Sequence, residues 1–173
     1  MEEFCDDPFR TKMLAAMIKQ IVDYESPISY DLVFARIKDS CGITKDSPKI
    51  RERIKYLMDY NKIKPVPSGN KVFFWKIGDN PMAYDFYRVS PEGEVRSPED
   101  IHPSEAACAM LEAIKEQFGI PRDAALVAGA HKLGLTRMTP AAKTLMETAM
   151  EILENENAVT LDNNGMLQVK SMI

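Results

Sequence analysis

The chain contains one motif twice. Gly42-Ile43-Thr44-Lys45-Asp46-Ser47-Pro48 returns 92 positions later as Gly134-Leu135-Thr136-Arg137-Met138-Thr139-Pro140. Six of the seven positions match in identity or type, Asp46/Met138 being the exception, and the register holds upstream through Ile28/Ile120 and Asp31/Asp123. An apolar-periodic segment precedes each copy and another follows it. Self-similarity of this kind marks a duplicated supersecondary unit. The period is longer than that of a solenoid repeat, so each copy is expected to be a small domain. At roughly 70–80 residues, each could hold a modest core of its own.

Composition bounds the class. Of 173 residues, 45% are hydrophobic and 28% charged, the balance of a soluble globular protein. No apolar run approaches the ~20 residues a bilayer span needs. The acidic start, residues 1–7, lacks the apolar stretch of a secretory signal. It reads as a leader that fits either a complete protein or part of a longer one. The three cysteines (Cys5, Cys41, Cys108) form no C-x-x-C pair; reduced thiols in a cytoplasmic protein are the plain expectation. The net charge of −4 is unevenly placed, because residues 36–76 hold 11 Lys+Arg against 4 Asp+Glu while residues 81–173 hold 8 against 14. That distribution, more than the total, bears on an anionic partner.

The periodicity predicts a helix over residues 8–24, capped by Asp6 or Asp7, with Leu14, Met17, Ile18, Ile21 and Val22 on one stripe. Ser26-Pro27 stops it. Ser29 caps a second helix over 30–40, closed by Gly42. Ser47-Pro48 opens a third, running to about Asn61, with Ile50, Ile54 and Leu57 inward. Two β-prone runs around the turn Pro67-Ser68-Gly69-Asn70 then read as a hairpin. The second copy repeats the order, with helices over 104–118, 121–132 and 140–157 and a hairpin at Asp162-Asn163-Asn164-Gly165. The expected fold is therefore mainly α (α+β): tandem winged helix-turn-helix domains, each three helices plus a hairpin wing. The expected boundaries are 1–78, a linker over 79–103 packing across the two domains through its aromatics, and 104–173.

Catalysis finds little support. None of the eight glycines is followed by Lys-Ser or Lys-Thr, as a phosphate-cradling loop requires. His102 and His131 have no ligand or nucleophile at a useful spacing, and the string Glu147, Glu151, Glu154 reads as a solvated face. No cofactor, metal site or small-molecule substrate is expected. The third helix of the first copy is more informative. In a helix-turn-helix its outward face enters the major groove. Here that face and its flanks carry Lys49, Arg51, Arg53 and Lys55, with Lys45 beside the positive helix N-terminus, where a phosphate is readily held. Lys71 lies across the wing turn. The competing reading of the same residues is a solvated basic helix partly neutralised by Glu52 and Asp59. In the second copy the corresponding outward positions are Ala141, Thr144, Glu147 and Thr148, flanked by Lys143 and Leu145. Ala141, Thr144, Leu145 and Thr148 suit a protein contact better than a phosphate backbone.

Residues 22–75, in the order ESPISYDLVFARIKDSCGITKDSPKIRERIKYLMDYNKI…FFW, resemble a bacterial domain of unknown function. That domain is found at the C-terminal end of large superfamily I DNA/RNA helicase-like proteins. The junction Arg96-Ser97-Pro98-Glu99-Asp100-Ile101-His102-Pro103-Ser104-Glu105 and the phrases Phe118–Arg122 and Leu133–Arg137 are similar to its second half. Where relatives keep basic residues after that last phrase, this chain has Ala141, Ala142 and Glu147. The resemblance implies a non-catalytic accessory module of a DNA-processing protein, with a helicase-like motor as partner in cis or in trans. Two functions stay open: DNA binding through the first copy, and protein docking or homodimerisation with no nucleic acid.

Overall fold

The computed structural model describes residues 8–90 and 96–170. The chain divides into two compact units, Met1–Asp79 and Asn80–Ile173. Both are mainly helical with a small antiparallel sheet. No helix among the described residues is long and apolar enough to cross a membrane.

In the first unit α1 spans Pro8–Glu25, β1 Ile28–Ser29, α2 Tyr30–Ser40, α3 Pro48–Tyr60, β2 Pro65–Ser68 and β3 Lys71–Phe74. Leu14, Ile18 and Val22 of α1 meet Val33, Phe34 and Ile37 of α2 and Ile50, Ile54 and Leu57 of α3 in one core. Burying these stripes is what holds helices this short, since isolated ones are marginal in water. The proposed caps on Asp6 and Asp7 lie outside the described residues. Ser29 Oγ accepts from Leu32 N at 3.0 Å and Ser47 Oγ from Ile50 N at 3.4 Å, each supplying an acceptor to an orphan donor of the first turn. The sheet order is β1-β3-β2. The hairpin turn is Gly69–Asn70 alone, because Pro67 and Ser68, expected in the turn, pair with Val72 and Lys71 as strand. Trp75 follows β3 and is buried.

The second unit carries α4 (Pro103–Glu116), α5 (Arg122–Lys132), α6 (Pro140–Asn155), β4 (Val159–Leu161) and β5 (Leu167–Val169), preceded by short 3-10 turns at Pro81–Ala83 and Pro98–Asp100. The duplication extends to individual hydrogen bonds. Gly42 and Gly134 both take left-handed φ, +64° and +79°. After each, a backbone N–H reaches back five residues: Ile43 to Lys38 O at 2.9 Å, Leu135 to Ala130 O at 3.0 Å. Thr139 caps α6 through Ala142 N at 3.2 Å, as Ser47 caps α3. Ile120 exchanges hydrogen bonds with Leu167, the counterpart of the β1–β3 pairing at Ile28 and Phe74. The register then slips, since α3 has 13 residues and α6 has 16. The residue closing each helix in left-handed φ is Lys62 in one copy and Asn157 in the other.

Two boundaries differ from the sequence reading. Helix α4 starts at Pro103 and ends at Glu116, against the expected 104–118, and is capped by His102, whose Nδ1 accepts from Ser104 N at 3.2 Å. Residues 80–90 and 96–103, read as linker, are counted within the second unit. There Tyr87 packs against the core, and the Cys108 thiol donates to Tyr84 O at 3.4 Å.

Candidate nucleic-acid interface

α3 is positioned by its apolar stripe, so its remaining positions face solvent or α1. Lys49, Lys55 and the preceding Lys45 are exposed. Lys45 makes no ion pair among the described residues. Lys55 Nζ sits 6.0 Å from the centre of the Tyr30 ring, at the outer limit of a cation–π contact.

Arg51, Arg53 and Lys71 are held by side chains inside the unit. Arg51 turns back across the start of α3, its Nε 3.1 and 3.2 Å from the two oxygens of Asp46. Its guanidinium lies 4.3 Å from the centre of the Phe34 ring, and Nη1 is 3.9 Å from Asp31. The hydrogen bond from Arg51 holds the Asp46 carboxyl below its ordinary pKa. Arg53 runs along α1, donating to Thr11 Oγ1 and lying over the Tyr56 ring. Lys71 Nζ donates to Asp31 at 2.7 Å. The wheel placed Arg51 and Arg53 on the flanks of the helix; the flanks are where neighbouring elements offer carboxylates, rings and hydroxyls. What remains outward is Lys45, Lys49 and Lys55, interrupted by Glu52.

Beside this face, a groove of about 420 Å³ separates α3 from the hairpin, with Lys55, Met58 and Asp59 on one wall and Lys71, Val72 and Phe74 on the other. Tyr30 closes one end and donates its hydroxyl to Arg51 O at 3.2 Å. Burial raises the Tyr30 pKa, with the Arg51 charge opposing. The tyrosine therefore stays a neutral donor and ties α2 to α3.

In the second unit the face read as a protein contact is only partly a surface. Leu145 is 8% exposed and belongs to the core. It follows the buried position Ala142 by three residues, so it falls on the inner stripe of α6. Ala141 and Thr148 are half-buried and Thr144 is exposed. The hydroxyls of Thr144 and Thr148 donate to Pro140 O and Thr144 O, each at 3.0 Å. That leaves their methyl groups as the outward chemistry.

A buried cluster in the second unit escaped the sequence reading. Glu105 is fully buried. Arg96 reaches it with Nη1 to Oε1 at 2.6 Å and Nη2 to Oε2 at 2.8 Å. Arg88 adds its backbone N–H at 2.9 Å, Nε at 3.1 Å and Nη2 at 2.8 Å. Burial alone would push the Glu105 carboxyl up, but the hydrogen bonds from Arg96 and Arg88 outweigh it and hold it below the ordinary range. The cluster straps residues 84–90 and 96 to the start of α4. The only sequence signal was an Arg, a Glu and another Arg in a Pro-rich stretch, which reads equally well as a solvated linker.

No curated protein and no solved structure matches the chain. Over residues 3–52, covering α1, β1, α2 and the first turn of α3, the chain is similar to the family described as a protein of unknown function (DUF3320).

Proposed function

We propose that the first unit is a winged helix-turn-helix module that binds DNA, mainly through phosphates, as a non-catalytic accessory part of a helicase-like DNA-processing protein. The observation that carries this reading is the exposure of Lys49 and Lys55 on one helix, with Lys45 exposed just ahead of its positive N-terminus. The order of α2, turn, α3 and hairpin supports it, since a helix-turn-helix offers its second helix to the major groove. Arg51 and Lys71 are engaged within the unit by Asp46 and Asp31, so the DNA contacts are assigned to the three lysines. Phosphate contacts from three lysines give weak sequence preference and a salt slope of about −3 in log–log form. The motor, in cis or in trans, is the expected partner.

A second reading attaches to the second unit. Its α6 face presents threonine methyls and Ala141 with the hydroxyls already satisfied, which favours a protein contact over phosphate. Docking on the motor or on a second copy is the activity it would supply, without nucleic acid.

Fluorescence anisotropy with duplex, forked and single-stranded DNA over a salt series tests the first reading. The chain is compared with a Lys45→Glu/Lys49→Glu/Lys55→Glu variant, which leaves the Arg51–Asp46 pair intact. Salt-sensitive binding lost in the variant supports it. Absence of binding at low salt, with both proteins folded by circular dichroism, overturns it and puts docking first, to be followed by sedimentation.

A further inference from the structure

The segment Pro81–Tyr87 does not lie flat on the second unit. Between it, α4 and the end of α6 stands a half-open cleft of about 430 Å³, within the size range of small-ligand sites. Tyr84, Phe86 and Tyr87 form an aromatic wall; Ala107, Leu111 and Leu153 contribute to an apolar floor. The Tyr84 and Phe86 rings stand 4.5 Å apart at 43°. Phe86 is 50% exposed and Met82, also lining the cleft, 84%. Apolar groups gathered around an open cleft mark a surface that a partner covers.

The charges at this cleft have one sign in excess. Asp85, Glu112 and Glu156 line it against a single cation, Lys115. Lys115 is 3.7 Å from Glu112, which leaves Asp85 and Glu156 without a cationic partner among the described residues. The Cys108 thiol, also in the lining, senses the same field. Burial pushes its pKa up, and the charges of Asp85, Glu105 and Glu156 push it further, to about 11. An aromatic wall attracts a cation through the ring faces, carboxylates at the rim add to that attraction, and the apolar floor takes an aliphatic stem.

From this geometry we propose that the cleft between Pro81–Tyr87, α4 and α6 binds an aliphatic ammonium or guanidinium ion. The cation lies against Tyr84 and Phe86, paired with Asp85 and Glu156, and its hydrocarbon stem rests on Leu111 and Leu153. The chemistry is that of a small alkyl cation or of a lysine or arginine side chain. It is independent of DNA binding, which the first unit would carry.

The test is titration of the full chain, followed through backbone amide shifts, with n-butylguanidinium, n-butylammonium and the neutral n-pentanol. The two cations are expected to shift the amides of Asp85, Phe86 and Cys108 saturably, with n-pentanol silent at the same concentration. An Asp85→Asn/Glu156→Gln variant, altering only exposed positions, should bind roughly tenfold more weakly, since two exposed charge contacts are removed. A blocked five-residue peptide with one central arginine separates the sources. Binding tenfold tighter than n-butylguanidinium assigns the site to a protein segment, and equal or weaker binding assigns it to a small molecule. The proposal is overturned if n-pentanol binds as well as the cations, if the double variant binds unchanged, or if shifts spread over the acidic surface without saturating.

Discussion

Gly129 lies so close to Met110 that a Cβ built on it would stand 2.9 Å from the methionine's own Cβ, and 2.7 Å from Cε of Met146. The repeat gives the reason. Ninety-two positions earlier the same three sites are Ile37, Ile18 and Ile54, all core residues of the first unit. One copy fills the space with three isoleucines; the other uses two longer, unbranched methionines and removes the third side chain. Gly129→Ala should therefore destabilise the second unit by a net ~1–2 kcal/mol, overpacking outweighing the helix-propensity gain of ~1 kcal/mol. Thermal unfolding followed at 222 nm checks it, and a raised midpoint would contradict the close contact.

Glu105→Gln should cost about 3 kcal/mol, because it leaves the Arg88 and Arg96 guanidiniums facing each other with no anion between them. The single tryptophan is a built-in control. Trp75 is 5% exposed within the first unit, so urea unfolding read by its fluorescence should keep its midpoint while the helical signal loses part of its amplitude at lower urea. An unchanged helical transition would sink the prediction.

His102 makes the second unit sensitive to mild acid. Burial lowers its pKa to about 4, against an opposing pull from Glu105. Its Nδ1 must be unprotonated to accept from Ser104 N. A histidine depressed in the folded state takes its proton first in the unfolded chain, near pH ~6.5. Stability is then full above that value and falls as pH drops from ~6.5 toward 4, by up to about 3 kcal/mol. Glu105, also depressed, contributes above the unfolded carboxylate value of ~4.3 and is lost below it, a separate and lower window. His102→Asn keeps a cap acceptor and should flatten the slope between pH 6.5 and 4.5 in urea midpoints. A slope unchanged in that variant would point to another group.

Asp46→Asn frees Arg51 and removes an anion from the start of α3. If DNA binds there, affinity should rise by about tenfold at low salt and the salt slope steepen by about one phosphate contact. Stability should change little, because the pair is half-exposed and screened by solvent. Anisotropy over a salt series reads both numbers; weaker binding would show that the Asp46–Arg51 pair shapes the interface rather than masking it.

Much of the local structure was legible from the chain. Ser29, Ser47 and Thr139 each precede a helix and each accepts a first-turn hydrogen bond, because capping is a property of a few adjacent residues. Gly42 and Gly134 close helices in left-handed φ for the same local reason. The core stripes of α1, α2 and α3 followed from spacing. The candidate interface was legible only as a charge count. Lys45, Lys49 and Lys55 are exposed as expected, whereas Arg51, Arg53 and Lys71 are held by Asp46, Thr11 and Asp31. Two of those three partners lie 40 or more residues away in sequence, where no periodicity reports them.

The sequence by itself determined roughly where the helices begin and end, which residues form most of the core stripes, and that one unit was written twice, because these depend on backbone dihedrals and on a repeat of 3.6. Tertiary structure alone decided that Arg51, Arg53 and Lys71 are held by partners within their unit, and that a linker-like stretch is strapped down by Glu105 between two arginines. It also made the cleft behind Tyr84 and Phe86. Those outcomes depend on which side chains meet across long sequence separations, and a buried charge is stable only where its counter-charges arrive from elsewhere in the fold.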